Sequence, residues 1–229
     1  MKKIILILMT GIILISCKEK NQNKKAISDK DLTQEISNLI DSLYTVDQDI
    51  QLKISSAAQN GENEKLKELF PKEKAIFKRH IPILKDIYKK IGYPTIELVG
   101  KENSTKFFTL VQHSDSDVDF QKEMLQEISR EVKKGNVSGK NYAFLTDRVQ
   151  IALQNTQVYG TQLDYNMKTG QAYPKKLIDS SKVNERRKEI GLTTLEEYLN
   201  KGTEMHFQMN KNGYLKDLGI SEPKLYKIE

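Results

Sequence analysis

At 229 residues, 38% hydrophobic and 30% charged, the chain is long enough to bury the core of one domain. Its 37 Lys+Arg against 31 Asp+Glu give a formal charge of +6, but the basic residues are interspersed, which argues against the clustered footprint of a nucleic-acid binder. A single cysteine excludes a disulfide within the chain, and three histidines with no pair at helical spacing argue against a zinc hydrolase.

The N-terminus opens on Met1-Lys2-Lys3, followed by an apolar run from Ile4 to Ile15. Those 12 residues fall short of the ~20 that span a bilayer and match the core of a signal peptide. Leu14-Ile15-Ser16-Cys17 resembles the lipobox of bacterial lipoproteins. The expectation is a signal peptide over 1–16, cleaved before a lipid-bearing Cys17, and a cell-envelope location with the membrane as partner through acyl chains. Which membrane face the domain occupies stays open. Without Lys2 and Lys3 the balance becomes 35 basic to 31 acidic residues. The stretch 17–27, rich in Lys, Asn and Gln, lacks apolar periodicity and reads as a tether.

Two long amphipathic helices come next, as a preface over 28–91. The first runs from about Asp29 to Gln59 on a stripe of Leu32, Ile36, Leu39, Ile40, Leu43, Val46, Ile50 and Ile54, and Asn60-Gly61 ends it. The second runs from about Glu62 to Ile91, and Pro71 and Pro82 should each interrupt or kink it. His80 lies on its apolar side, where a packed histidine is the natural reading.

Over 92–200 the pattern predicts a mainly α unit with one β-hairpin. Thr95 to Gly100 reads as extended, and a helix follows from about Glu102 to His113. The loop Asp115-Ser116-Asp117-Val118-Asp119 fails as a calcium site, because Phe120 stands where that loop needs Gly and Gln126 where it needs Glu. Asp115 or Asp117 instead caps a helix over about Val118 to Lys134. Gln121 falls inside the apolar arc of that helix and must find hydrogen-bond partners. The next helix, about Gly139 to Gln154, places Arg148 within its apolar arc and Asp147 on its polar side. A half-buried arginine there wants a carboxylate or several carbonyls. Gln157 to Tyr165 and Gln171 to Ile178 alternate like the arms of a hairpin. Asp179 or Ser180 caps a short helix bearing Arg186 and Arg187, Gly191 closes it, and Thr193-Thr194-Leu195-Glu196 reads as a capping box. The tail over 201–229 reads as an extension of low order.

His113-Ser114-Asp115, Phe120-Gln121, Leu145-Thr146-Asp147-Arg148, the run Gln157 to Gln162, and Asp179 through Arg186-Arg187 to Gly191-Leu192 stand in one order. Together they resemble a bacterial family known as domain of unknown function 6624, over about Gly92 to Asn200. Family members typically show H-x-D-x-D-x-x-F-Q, which His113 to Gln121 matches. Asn155 and Thr156 replace the Gly and Pro usual before Gln157. The resemblance implies a shared site and no particular activity.

Three readings of these residues stand. They form a buried polar network that locks the hairpin onto the helices. Or Gln121, Gln157, Tyr159, Gln162, Arg186 and Arg187 bind a polar small molecule, glycan or peptide. Or His113 is a general base oriented by Asp115 or Asp147, with Arg148 or Arg187 holding an anion and Tyr159 among the candidate nucleophiles. No serine elbow, Gly-rich phosphate loop or metal-ligand spacing is evident, so no cofactor and no metal is expected. The non-catalytic binding role is the favoured function, with a hydrolase-like enzyme as the alternative.

Overall fold

The computed structural model describes residues 29–228; the expected signal peptide over 1–16, Cys17 and the expected tether over 17–27 lie outside them. Among the described residues the element order is α1 (Asp29–Gln59), α2 (Asn63–Ile91), α3 (Ile96–Gln112), α4 (Val118–Lys133), α5 (Gly139–Ala152), β1 (Leu163–Tyr165), β2 (Ala172–Pro174), a 3₁₀ turn, α6 (Val183–Glu189), α7 (Leu195–Asn210) and α8 (Tyr214–Asp217). No helix here is long and apolar enough to cross a membrane.

α1 and α2 form an antiparallel hairpin, and α3 packs against both. The stripe that α1 buries is Ile36, Ile40, Leu43, Asp47, Ile50, Ile54 and Ala57, an alternation of fours and threes interrupted by one carboxylate. Ile36, Ile40 and Leu43 share one apolar core with Leu84 and Ile87 of α2, Phe107 and Val111 of α3, Met124 and Ile128 of α4, and Leu145 of α5. The helices read as a preface are therefore walls of the main core. α2 runs unbroken through Pro71 and Pro82. Both prolines are exposed, so each ring interrupts the hydrogen-bond ladder on the wet side of the helix.

Caps set the ends of the site-bearing helices. Thr95 accepts from Leu98 N, so helix begins at Ile96, within the stretch expected to be extended, and Gly100 at φ 79° kinks it. Asp117 accepts from Phe120 N at the head of α4, and Ser138 accepts from Lys140 N at the head of α5. The capping box of α7 is Thr194 with Glu197, one residue beyond the expected pair.

The hairpin is shorter than its alternation suggested. β1 and β2 pair antiparallel over three residues, Leu163 with Pro174, Asp164 with Tyr173 and Tyr165 with Ala172. Its turn closes through Gly170 N to Asn166 O at 2.7 Å. α7 packs under both strands, and Ala172, Val183, Leu195 and Leu199 make a smaller core there. The C-terminal segment is docked rather than loose. Asn200 and Tyr226 exchange two hydrogen bonds of 3.0 and 2.7 Å, and Tyr226 Oη donates to Ala172 O at 2.7 Å.

Candidate functional site

The local fold sorts the candidate residues into two groups. The first winds a loop around a buried carboxylate. Asp147, expected on a polar face, is fully buried. Its Oδ1 accepts from Val158 N at 2.7 Å and Tyr159 N at 3.0 Å, and its Oδ2 from Tyr159 N at 3.2 Å and Thr161 N at 2.8 Å. These are the amides a strand ladder would have used, so residues 157–162 form a loop, with Gly160 supplying a φ of 70°. Gln157, also fully buried, donates to Gln162 O and Lys175 O, both at 2.9 Å, and accepts from Gln162 N at 2.9 Å.

The two arginines grip the same loop. Arg186 donates to Val158 O, Ile178 O and Asp179 O at 2.7–2.9 Å. Arg187, 1% exposed, donates to Thr193 O at 2.7 Å and Tyr159 O at 2.6 Å, and its guanidinium lies 5.0 Å from the Tyr198 ring centroid. Burial lowers its pKa, against the pull of Tyr198 and Asp147. Tyr159 meets Tyr142 edge-on at 6.4 Å, and burial raises its pKa. Gln162 Nε2 donates to Thr161 Oγ1 at 3.1 Å. Asp147, Gln157, Arg186 and Arg187 thus spend their hydrogen bonds on backbone.

The second group meets at a cleft of about 540 Å³, walled by Gln51, Glu73, Phe77, His113, Asp115 and Arg148, with Lys74, Lys78 and Ser116 at its margin. His113 ends α3, one residue past its last turn. Its Nδ1 donates to Asp47 Oδ2 at 2.6 Å, and its ring stacks on Phe77 at 4.5 Å. The partner that orients His113 is therefore Asp47 of α1, since Asp147 is surrounded by amides and Asp115 is engaged elsewhere. Asp47 is wholly buried, while the His113 side chain keeps 21% exposure, so Nε2 is the ring nitrogen left for the cleft. Gln48 Nε2 donates to the second Asp47 oxygen at 2.8 Å.

Arg148 finds the carboxylate that its position demands. NH1 donates to both Asp115 oxygens, at 2.8 and 2.7 Å. Gln121 braces the same aspartate: Nε2 donates to Asp115 Oδ1 at 3.1 Å and to the carbonyls of Val111 and Gln112. Gln121 Oε1, Arg148 Nε and His80 Nδ1 are buried with no hydrogen-bond partner among the described residues. His80 belongs to the same electrostatic unit. Burial lowers its pKa most, Arg79 and His113 lower it further, and Asp47 opposes them.

His113, Asp115, Arg148 and the brace Gln121 thus converge, whereas Tyr159 and Gln162 do not line the cleft. Asp47 escaped the sequence reading, although the signal was present: it occupies a stripe position, three residues before Ile50 and four after Leu43. Among the described residues, no group of three His, Cys, Asp or Glu side chains is arranged to hold a metal ion.

Comparison with known proteins adds one finding. The model of a family of unknown function, DUF6624, matches residues 30–207. That span takes in α1 and α2, and so Asp47, as well as the segment from Gly92 onward. No curated protein and no solved structure matches the chain.

Proposed function

The chain belongs to the DUF6624 family, and since that name carries no activity, we propose from the cleft that this is a polar-ligand-binding domain and, from the sequence of residues 1–17, that it is anchored in the bacterial cell envelope through lipid on Cys17. One observation carries the reading. His113, fixed by the buried Asp47, shares an open cleft with the Asp115–Arg148 pair. The cleft offers cations (Lys74, Lys78, Arg148), carboxylates (Glu73, Asp115) and an imidazole edge against the Phe77 ring. Such alternation of donors and acceptors suits a ligand carrying both, such as a peptide or a peptide-bearing cell-wall glycan.

The test is calorimetry of the purified chain with soluble peptidoglycan fragments, short peptides and oligosaccharides. One of these classes should bind, and His113→Ala should weaken that binding about tenfold or more, the loss of roughly 1.4 kcal/mol. Absence of binding by all three classes, or equal affinity in the variant, would refute the reading. The anchor is tested separately: a labelled fatty-acid analogue fed to the producing cell should enter the wild-type chain and not Cys17→Ser.

The Asp47–His113 pair also supports a second reading, hydrolysis. A carboxylate on Nδ1 fixes the tautomer that leaves Nε2 free to take a proton from water, and the Arg148 guanidinium can stabilise the resulting anion. In that case Asp47→Asn lowers kcat with little change in KM on the fragment that binds. Unchanged turnover in His113→Ala removes His113 as the base.

A further inference from the structure

A groove of about 900 Å³ lies on the α1–α2 hairpin and shares only Lys78 with the cleft. Here the hairpin carries its own small core of Ile50, Ile54, Ala57 and Leu69, separate from the main one. The groove floor is apolar, formed by Val46, Ile50, Leu69 and Ile76, with Val46 46% exposed. Its margin is cationic: Lys53, Lys72, Lys78 and Arg79 stand there against one carboxylate, Asp49. Lys53 is paired with Asp49, and Lys72 sits 4.0 Å from Glu68. Among the described residues, neither Lys78 nor Arg79 takes part in an ion pair.

We propose that this groove binds one molecule of a long-chain fatty acid, its tail along Val46, Ile50, Leu69 and Ile76 and its carboxylate held by Lys78 and Arg79. An apolar furrow whose margin carries four cations against one carboxylate suits an amphiphile of negative charge. The α2 wall runs from Leu69 to Pro82, about 20 Å at the helical rise, a length an extended acyl chain spans. Tail burial supplies the driving force, and the lysine and arginine stems cover the tail while their heads reach the carboxylate. The two helices are already bridged by Gln51 Nε2 on Glu73 Oε1 at 2.7 Å, so the opening is a furrow between side chains, which a slender chain fills more readily than a third helix. A concave floor flanked by charges also presents no flat apolar face to a bilayer.

The experiment titrates the full chain with a dansyl-labelled undecanoic acid below its critical micelle concentration and displaces the probe with palmitate. Two variants accompany it. Ala75→Trp fills the groove from an exposed position on its wall, and Lys78→Glu/Arg79→Glu reverses the free charge. Unfolding midpoints near wild type establish that both variants fold. Saturable binding of one probe per chain, weakened about tenfold or more by each variant, supports the proposal; tenfold corresponds to ~1.4 kcal/mol. Equal probe affinity in both variants places the binding elsewhere, including the apolar run Ile4 to Ile15, and overturns it. Equal displacement by hexadecanol overturns the role of Lys78 and Arg79. Variant-sensitive binding to phosphatidylglycerol vesicles with none to the monomeric probe makes the groove a membrane-facing surface instead. A dimer that Ala75→Trp dissociates makes it a contact between copies. A failed cleft titration leaves this test intact, because the groove variants other than Lys78 do not line the cleft.

Discussion

A histidine with one nitrogen on a buried carboxylate behaves differently from one in water. Asp47 accepts from His113 Nδ1 at 2.6 Å from a position with no exposure, and the ring is sandwiched against Phe77. The imidazole therefore loses its rotational freedom before any ligand arrives, which lowers the cost of binding or of proton transfer. Replacing Asp47 by Asn keeps the shape and removes the acidic acceptor. Gln48 Nε2, which donates to the other oxygen, would then face an amide group of mixed polarity. We expect Asp47→Asn to cost about 1–3 kcal/mol, the penalty for buried polar groups left badly paired. Urea unfolding measures it, and NMR of the His113 ring should show the Nδ1 proton shifted or lost. A variant as stable as wild type with an unchanged ring signal would mean that the pair neither orients nor stabilises anything.

At the scale of elements, the loop after α5 is the clearest case of a side chain overriding a backbone pattern. Gln157 to Tyr165 alternates as a strand does, and a strand forms only over Leu163–Tyr165. The earlier amides go to the Asp147 carboxylate, a charged acceptor that outcompetes a neutral carbonyl. Periodicity cannot reveal this, because it reports which face is apolar and not where an amide finds its acceptor. The same limit explains Asp147 itself, which shares its side of the helical wheel with Gln150 although its contacts lie in the loop. Arg148 and Gln121 were legible for the opposite reason: a polar group inside an apolar arc announces that it needs a partner. Asp147→Asn turns half of the acceptor into a donor that faces amides. It should destabilise the chain by at least about 2 kcal/mol, with amide exchange quickening first at Val158, Tyr159 and Thr161. Exchange that stays slow there while the global stability falls would show that the loop is held by Gln157, Arg186 and Arg187 without the carboxylate.

The whole molecule joins these pieces because α1 crosses two of the three apolar clusters among the described residues and touches α3 and α7 as well as α2. The helix type and most boundaries of α1 to α5 followed from apolar spacing and caps; the integration of α1 with the rest did not, since no local pattern says which elements share a core. Burial of titratable groups at these junctions couples folding to pH. His80 is buried on α2 within electrostatic reach of Asp47 and His113, and His206 stacks on Tyr165 at 3.9 Å and hydrogen-bonds Tyr214 at 2.6 Å. Burial lowers the pKa of both from the ordinary 6.5. A histidine whose folded pKa is depressed is neutral in the fold and binds its proton more readily when unfolded. Its contribution is therefore complete above pH 6.5 and fades as the pH falls through 6.5 toward the folded value. Asp117 and Glu131, held low by Lys85 and Lys134, lose their share in a separate window below their ordinary 3.8 and 4.5. Stability measured by urea unfolding should thus be flat above neutrality and decline as the pH falls below 6.5, each histidine adding at most about 1.4 kcal/mol per pH unit. His80→Gln should flatten that slope while leaving the fall below pH 4.5 in place. A slope unchanged by the substitution would mean that His80 charges without cost in the fold and that the loss of stability arises at other groups.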